Sequence, residues 1–257
     1  MKKYSYIEMI HPVFNSIIFA IKYRIERKSD VSAKLAKYTC DHNGKNLLIY
    51  GLNFGYDYVF KRERYKNLQV FDNDVLDVGA NIGDSSIYFY CKGAKTVYCV
   101  EPSPFLFKIL KANIIYNGLQ QKLIPLNKGI GNERTMRLSN GPLSDDIINK
   151  GLPIRESQSN NTSAVKIESL EKIVNELHIK DAILKMSCEG CEYEAITESS
   201  KATLRAFKII FVEFFNGKQK RLGKKLIQCG FRIKYRNVTY DYKRDRILGF
   251  IVGLREW

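Results

Sequence analysis

The chain has 257 residues, 45% of them apolar and only six of them proline, and its formal net charge is +15. That length and apolar content can bury a substantial core, so the composition excludes a disordered chain and predicts one globular domain with a small appendage. The positive charge alone permits a nucleic-acid partner without favouring one, because lysine is spread over the whole chain and the densest basic cluster, 217–236, also suits an acidic substrate or a membrane surface.

The N-terminal region, residues 1–66, carries no chemical motif and is predicted to be an appendage that flanks the main domain, residues 67–257. Its most apolar stretch, 9–21, is shorter than the roughly 20 residues of a membrane-spanning helix and contains Pro12. It predicts an amphipathic helix that packs on the domain or rests on a membrane or partner surface. Residues 46–68 predict a strand and a helix beside the pocket, with Tyr50, Phe54 and Tyr56 as candidates to line the acceptor side.

The six cysteines are scattered and lie mostly inside apolar segments. The N-terminus shows no basic-then-apolar segment that ends at a small-residue cleavage site. We therefore expect a cytoplasmic protein with reduced thiols.

From residue 74 onward, strand-like and helix-like segments alternate along the chain. Predicted strands cover residues 74–78, 95–101, 122–130, 182–188 and 207–215, predicted helices cover 87–94, 103–118, 167–177 and 192–199, and a polar, loop-rich insert covers 140–162. A basic helix and two late strands, 231–240 and 245–254, follow. The alternation predicts an α/β fold, a doubly wound (Rossmann-like), mostly parallel sheet of about seven strands with a closing antiparallel hairpin and helices on both faces.

Ligands of such sheets bind beyond the carboxyl ends of the strands, next to the first strand. There the sequence "DVGANIGDSS" has Gly79 and Gly83 but neither the third glycine of the dinucleotide fingerprint nor the lysine of a P-loop. Glu101 ends the second strand, where a carboxylate can accept both hydroxyls of a ribose.

Three sequence blocks together resemble the FkbM family of class I S-adenosylmethionine (SAM) methyltransferases. They are "VLDVGANIGDSSIYF" followed by "VYCVEPSPFLFKILKANIIYNG", then "SLEKIVNE", then "ILKMSCEGCEYEAI". The resemblance covers about residues 67–215 and implies SAM as the cofactor. It implies cofactor contacts at Asp77, Gly79, Ala80, Asn81, Gly83, Glu101, Pro102, Asn127 and Gly129.

The expected roles follow the parts of SAM. Glu101 would accept the ribose hydroxyls, and Asn127 with Gly129 would edge the adenine. Gly79 and Gly83 would let the backbone approach the methionyl group, although they also suit any tight turn. Asp77 would hold the methionyl ammonium directly or through the turn, and a buried carboxylate that stabilises the turn is compatible with that role.

Methyl transfer from a sulfonium is an in-line displacement, and it needs a base when the acceptor is a hydroxyl. Glu189 is the predicted base, with Glu192 and Lys185 behind it, while Glu192 is an equally good cap for the following helix. Ser187 stands where the family pattern has an aspartate, which removes a carboxylate from this strand end. We expect no metal.

Cys188 and Cys191 have the spacing of a metal or redox pair. No second Cys or His pair follows at zinc-site distance, so structural thiols beside the cofactor pocket are favoured over zinc or redox chemistry.

The resemblance implies O-methylation of a sugar, glycolipid or other small metabolite, with a small-molecule or glycan acceptor as partner. An RNA methyltransferase is the alternative that net charge favours, but the fourth strand ends in "SCEGCE" without the Pro-Pro-aromatic signature of amino-methylating enzymes. A SAM-binding or polyanion-binding protein without turnover is a third hypothesis, which Ser187 supports.

Overall fold

A seven-stranded sheet forms the frame of the protein in the computed structural model, which describes residues 33–40, 44–52, 57–141, 155–215, 219–241 and 246–256. The strands of the described residues form this sheet, a two-stranded hairpin and a second, three-stranded sheet. They are β1 (Ala33–Thr39), β2 (Asn46–Leu52), β3 (Asp74–Val78), β4 (Thr96–Val100), β5 (Leu123–Leu126), β6 (Lys128–Ile130), β7 (Arg134–Ser139), β8 (Thr162–Glu168), β9 (Ala182–Met186), β10 (Phe207–Phe215), β11 (Phe231–Asp241) and β12 (Arg246–Arg255). The helices are α1 (Asp84–Cys91), α2 (Pro104–Tyr116), α3 (Leu170–Glu176), α4 (Cys191–Glu198), α5 (Lys201–Arg205) and α6 (Gln219–Gln228), and a π-helical turn covers Asp57–Lys61.

The strand order in this sheet is β11-β12-β10-β9-β3-β4-β5. The five strands from β10 to β5 are mutually parallel, and β12 pairs antiparallel with both β10 and β11. The predicted doubly wound sheet with a closing antiparallel hairpin is confirmed.

The central strands are buried on both faces because helices cover both. Successive residues of a strand face opposite sides, so Val75 and Ile183 enter one apolar cluster while Leu76 and Leu184 enter another. The first cluster also takes residues from α1, α2 and β2, and the second takes residues from α3 to α6. Because helices bury both faces of these strands, their sequences are continuous apolar runs without polar alternation.

A second, three-stranded sheet has the order β6-β8-β7 and corrects two predictions. The single strand predicted at 122–130 breaks at Asn127 into β5 and β6, which lie in different sheets. The helix predicted at 167–177 begins at Leu170, because residues 162–168 pair as β8 between β6 and β7. The alternation of polar and apolar residues in β8 is the local signal for that strand.

The N-terminal hairpin of β1 and β2 docks on α2 through a buried asparagine. The side-chain oxygen of Asn113 accepts the Tyr50 amide at 2.9 Å, and its nitrogen donates to the Tyr50 and Ile82 carbonyls at 2.8 Å each. Tyr50 packs with Ile82 and residues of α2, on the side of the turn away from β9. Phe54, Tyr56 and residues 9–21 lie outside the described residues, and the division of the chain at residue 66 stays a prediction.

Four of the six cysteines are joined in disulfides, which corrects the expectation of reduced thiols. Cys40 is bonded to Cys91, linking the N-terminal hairpin to α1, and Cys188 is bonded to Cys191; Cys99 is free and buried. No helix in the described part of the chain is long and apolar enough to cross a bilayer. The cytoplasmic location stays a prediction.

Candidate active site

The turn between β3 and α1 lies against the end of β9. Gly79 has a φ of +77°, and a Cβ at this position would overlap the carbonyl oxygen of Ser187. The amides of Gly79 and Ala80 both donate to the Val100 carbonyl at 3.0 Å, so the turn is also fixed to β4. Glycine is required at residue 79 because both the backbone conformation and the close approach exclude a side chain.

The second half of the turn presents Asn81 to solvent. Asn81 is exposed and has a φ of 52°, a conformation that asparagine tolerates better than most residues. Gly83 has a φ of +90°, and a Cβ there would lie 2.6 Å from the Leu110 side chain of α2. The turn therefore offers an open polar side, formed by Asn81, and a closed apolar side.

Glu101 joins the glycine turn to the segment after β4. One carboxylate oxygen accepts the Asn81 amide at 2.9 Å, and the other accepts the Ser103 amide at 2.8 Å. Burial raises the pKa of Glu101 to about 7, although these two hydrogen bonds favour the ionised form. Each oxygen keeps a second lone pair, so the carboxylate can still accept ribose hydroxyls.

Asn127 stands at the break between β5 and β6 and is held against the same segment. Its side-chain nitrogen donates to the carbonyls of Glu101 at 2.8 Å and Pro102 at 3.1 Å. Gly129 is buried within β6, and a Cβ there would collide with the Ile167 side chain. The structure thus brings Asn81, Glu101, Pro102 and Asn127 together, whereas Gly129 serves the packing of the small sheet.

Asp77 and Lys185 form a buried ion pair beneath the glycine turn. Lys185 Nζ lies 2.8 Å from Asp77 Oδ1 and donates to the Gly79 carbonyl at 3.0 Å. The Lys185 side chain is 2% exposed and the Asp77 side chain is 0% exposed. The other Asp77 oxygen accepts the hydroxyls of Ser85 and Ser86 at 2.6 and 2.7 Å. The pair is placed to hold the turn from within the core, and Lys185 does not reach the open edge.

The turn after β9 carries the other two predicted catalytic residues. Glu189 is half-buried with a φ of 58°, a left-handed conformation that few non-glycine residues adopt. Glu192 is fully buried in the first turn of α4, where one oxygen accepts the Gly190 amide at 2.8 Å and lies 3.0 Å from the Cys188 sulfur. Burial raises the pKa of Glu192 to about 7.

A carboxylate on the neighbouring strand was not predicted from the sequence. Glu213 of β10 accepts the Ser187 hydroxyl at 2.7 Å through one oxygen and pairs with Arg64 at 2.6 Å through the other. Arg64 in turn lies over the Phe250 ring, 4.6 Å from its centroid. The available signal was the single glutamate within the apolar run "FKIIFVEFF", a position where an unpaired charge is costly.

A cavity of about 190 Å³ opens between α3 and α4, and its lining includes Gly131, Leu170 and Glu194. None of the predicted cofactor contacts lines it. The predicted contacts Asn81, Glu101, Pro102 and Asn127 instead lie shortly after β3, β4 and β5, at the edge of the sheet formed by the carboxyl ends of the strands, here called the open edge.

Comparison with known proteins identifies the family. The family model described as the methyltransferase FkbM domain matches residues 77–233, more than half of the chain, from the end of β3 into β11. The chain belongs to the FkbM methyltransferase family. Members of this family are SAM-dependent methyltransferases, which implies SAM as the cofactor and a methyl acceptor as the second substrate.

The FkbM domain also resembles tRNA-modifying enzymes. The tRNA (guanine(37)-N(1))-methyltransferase Trm5b of Methanocaldococcus jannaschii is 35% identical over 66 residues, which is 26% of this chain and 19% of that protein. A solved tRNA m1G37 methyltransferase of M. jannaschii superposes with a TM-score of 0.51 at 16% identity, over 89% of this chain and 56% of that one. Trm5b from Pyrococcus abyssi gives a TM-score of 0.51 at 14% identity, over 88% and 56%. The chain spans little more than half the length of these structures, and at such identities the likeness establishes the fold.

The polar groups at the open edge have the chemistry that the SAM-binding hypothesis needs. Glu101 offers carboxylate lone pairs at the strand end next to the glycine turn, and the exposed Asn81 and half-buried Asn127 flank it.

Proposed function

We propose that this FkbM enzyme transfers a methyl group from SAM to a hydroxyl oxygen of a sugar, glycolipid or other small metabolite. The observation that carries the proposal is the strained Glu189 directly after β9, next to the Ser187–Glu213 hydrogen bond. A hydroxyl acceptor must lose a proton, and a carboxylate held at the reacting edge can take it. Non-glycine residues in left-handed conformations cost about 1–3 kcal/mol and concentrate at active sites.

The residues proposed to hold SAM are those assembled around the glycine turn. Glu101 accepts the ribose hydroxyls, Asn127 and Pro102 border the adenine, and Asn81 with the backbone of residues 79–83 borders the methionyl group. The bound cofactor supplies a methyl group on a sulfonium, which is already activated for displacement.

This chain's own residues then align the acceptor and move its proton. Glu189 would accept the hydroxyl proton of the acceptor, and the bound cofactor would supply the methyl group. Glu213 is fixed by Arg64 and Ser187, so it holds the end of β10 against the end of β9. Residues that align the acceptor with the methyl group would lower the barrier further.

The test is methyl transfer by the full chain from SAM carrying a radiolabelled methyl group. Sugars, glycolipids and small alcohols are offered as acceptors, and total RNA is offered separately. We expect label in an alkali-stable ether of a hydroxyl acceptor. The same preparation is titrated with SAM by calorimetry. If SAM binds but no acceptor is labelled, the acceptor is not among those offered; if SAM does not bind, the proposed cofactor site is wrong.

Two substitutions test the base. Glu189→Gln keeps the shape of the side chain and removes its proton affinity, so kcat should fall about 10²- to 10⁴-fold with SAM affinity retained. Glu198→Gln is the matched control, because Glu198 is exposed at the far end of α4. Equal rates for Glu189→Gln and the native enzyme would remove Glu189 from the mechanism.

One observation favours RNA as a second candidate acceptor. Helix α6 begins shortly after β10 ends at the reacting edge, packs against α4, and exposes Lys220, Arg221 and Lys224. Cations in this arrangement attract a phosphate backbone. Transfer of label to RNA, lost in Lys220→Glu/Arg221→Glu while SAM binding persists, would establish this candidate over the hydroxyl metabolite.

A further inference from the structure

Three side chains with metal-binding atoms meet directly after β9. One ligand atom from each of Cys188, Cys191 and Glu192 lies within 4.8 Å of the other two. Across the described ranges, no other set of three Cys, His, Asp or Glu side chains comes so close. The spacing of the two cysteines is the one that zinc sites use, and the carboxylate comes from the residue that follows the second cysteine.

The carboxylate of Glu192 carries an independent sign of a missing partner. Glu192 is 0% exposed, and its Oε1 atom is buried without a hydrogen-bond partner, while Oε2 accepts the Gly190 amide at 2.8 Å. A buried carboxylate oxygen without a partner costs free energy, so such groups are normally paired or bound to a metal.

The two cysteines flank the start of α4. Cys191 is the first residue of α4, and Cys188 precedes the helix by three positions. The thiolate is the form of cysteine that binds metals, and metal binding releases the thiol protons.

We propose that Cys188, Cys191 and Glu192 bind a thiophilic divalent cation, Zn²⁺ in the first place, when the disulfide is reduced. A dithiol reductant transfers two electrons to the Cys188–Cys191 bond and is itself oxidised to a disulfide, and the two thiols lose their protons on binding the metal. Zn–S bonds of about 2.3 Å and Zn–O bonds of about 2.0–2.2 Å place such ligand atoms roughly 3.5–3.8 Å apart, which the cluster can reach by side-chain rotation. The disulfide and the metal-bound form exclude each other.

This site revises the expectation of no metal, which rested on Ser187 in place of the family aspartate and, for zinc, on the lack of a second Cys or His pair. The third ligand is a carboxylate adjacent in sequence, so no second pair is needed. Three protein ligands leave one position open, as in catalytic rather than structural zinc sites. The site also borders the cofactor turn, because a Cβ on Gly79 would lie 3.2 Å from the Cys188 Cα.

The experiment is a zinc titration of the full chain in two redox states, and it does not depend on the methyl acceptor. One sample is reduced with dithiothreitol and desalted without oxygen, and the other is oxidised with diamide. Competition with a chromophoric chelator gives affinity and stoichiometry, and Co²⁺ in place of Zn²⁺ reports thiolate ligation through sulfur-to-metal absorption. We expect one equivalent bound by the reduced protein and none at this site in the oxidised protein.

Variants assign the ligands. Cys188→Ser, Cys191→Ser and Glu192→Gln should each lower zinc affinity by more than about 10-fold. The double variant Cys40→Ala/Cys91→Ala is the matched control, since it removes the other cysteine pair and should retain one equivalent. Circular dichroism checks that each variant is folded.

Three outcomes would overturn the proposal. They are equal zinc binding by oxidised and reduced native protein, loss of binding only in the Cys40/Cys91 control, and unchanged affinity in Glu192→Gln. The comparison of redox states uses the native chain, so the proposal stays testable even if a variant fails to fold.

Discussion

The buried ion pair between Asp77 and Lys185 gives the most direct test of how this site is held together. Lys185→Met keeps most of the side-chain volume and removes the charge that faces Asp77 at 2.8 Å. It also removes the donor to the Gly79 carbonyl at 3.0 Å, so the same change releases the glycine turn. If Lys185 positions the turn, the variant should lose both stability and SAM affinity.

The magnitude follows from the burial of both partners. Removing one member of a buried pair leaves an uncompensated charge and costs about 3–5 kcal/mol, whereas replacing both members by groups of similar volume is often close to neutral. Asp77→Asn should cost less than Lys185→Met, because Asn keeps an oxygen that accepts the Ser85 and Ser86 hydroxyls. The double variant Asp77→Asn/Lys185→Met should therefore be more stable than Lys185→Met alone by about 2 kcal/mol or more.

Chemical denaturation of the four proteins measures this coupling, and calorimetric SAM titration of each measures the turn. If the losses of unfolding free energy in the two single variants sum to the loss in the double variant, the ion-pair argument is refuted. A Lys185→Met protein with native stability and SAM affinity but no turnover would refute the positioning role and restore Lys185 as a catalytic residue.

Three further predictions concern the carboxylates at the open edge. Because burial raises the pKa of Glu101 to about 7, SAM should bind more tightly as pH rises from 6 to 8, and Glu101→Gln should abolish that pH dependence and weaken binding at pH 8 by about 10-fold or more, measured by calorimetry. Burial also raises the pKa of Glu192 from 4.5 in the unfolded chain to about 7, so the folded chain holds its proton more tightly and this group's contribution to the free energy of unfolding falls as pH rises through that window. Between pH 4.5 and pH 8, the free energy of unfolding of Glu192→Gln should therefore rise by roughly 3 kcal/mol relative to that of the native protein, as measured by denaturation. If the free energies of unfolding of the two proteins changed in parallel with pH, the raised pKa of Glu192 would be contradicted. Ser187→Asp puts a second carboxylate against Glu213, so it should destabilise the protein by about 2 kcal/mol in denaturation experiments, whereas the uncharged Ser187→Asn should cost less, and equal costs for the two variants would exclude charge repulsion.

The parallel sheet was predictable because each central strand is an apolar run that helices cover on both faces. The boundaries of α2 were also predictable, since Ser103 caps it and Pro104 suits its first turn. The small sheet was not, because β6 is three residues long and the insert after β7 separates both β6 and β7 from their common partner β8. Long-range pairing of short strands leaves almost no local signal.

The proximity of the glycine turn and Glu101 was easier to predict than the contacts between distant parts of the chain, for a related reason. The glycine turn and Glu101 follow consecutive strands, so their sequence order predicts their proximity. The disulfide between Cys40 and Cys91 joins residues 51 positions apart, and the Asp77–Lys185 pair joins neighbouring strands β3 and β9 that are distant in sequence. Such contacts depend on strand order, which the sequence patterns predict only in outline.

The contacts of Ser187 also depend on strand order, and they affect the functional interpretation. Considered alone, the end of β9 lacks the aspartate of the family pattern, and this absence supported the hypothesis that the protein binds SAM without turnover. In the folded chain the Ser187 hydroxyl donates to Glu213 of β10, whose other oxygen is paired with Arg64, so a carboxylate is present at this edge. The loss of one carboxylate from the sequence pattern is therefore no longer an argument against catalysis, and the acid–base chemistry of this edge has to be assigned from side chains of β9 and β10 together.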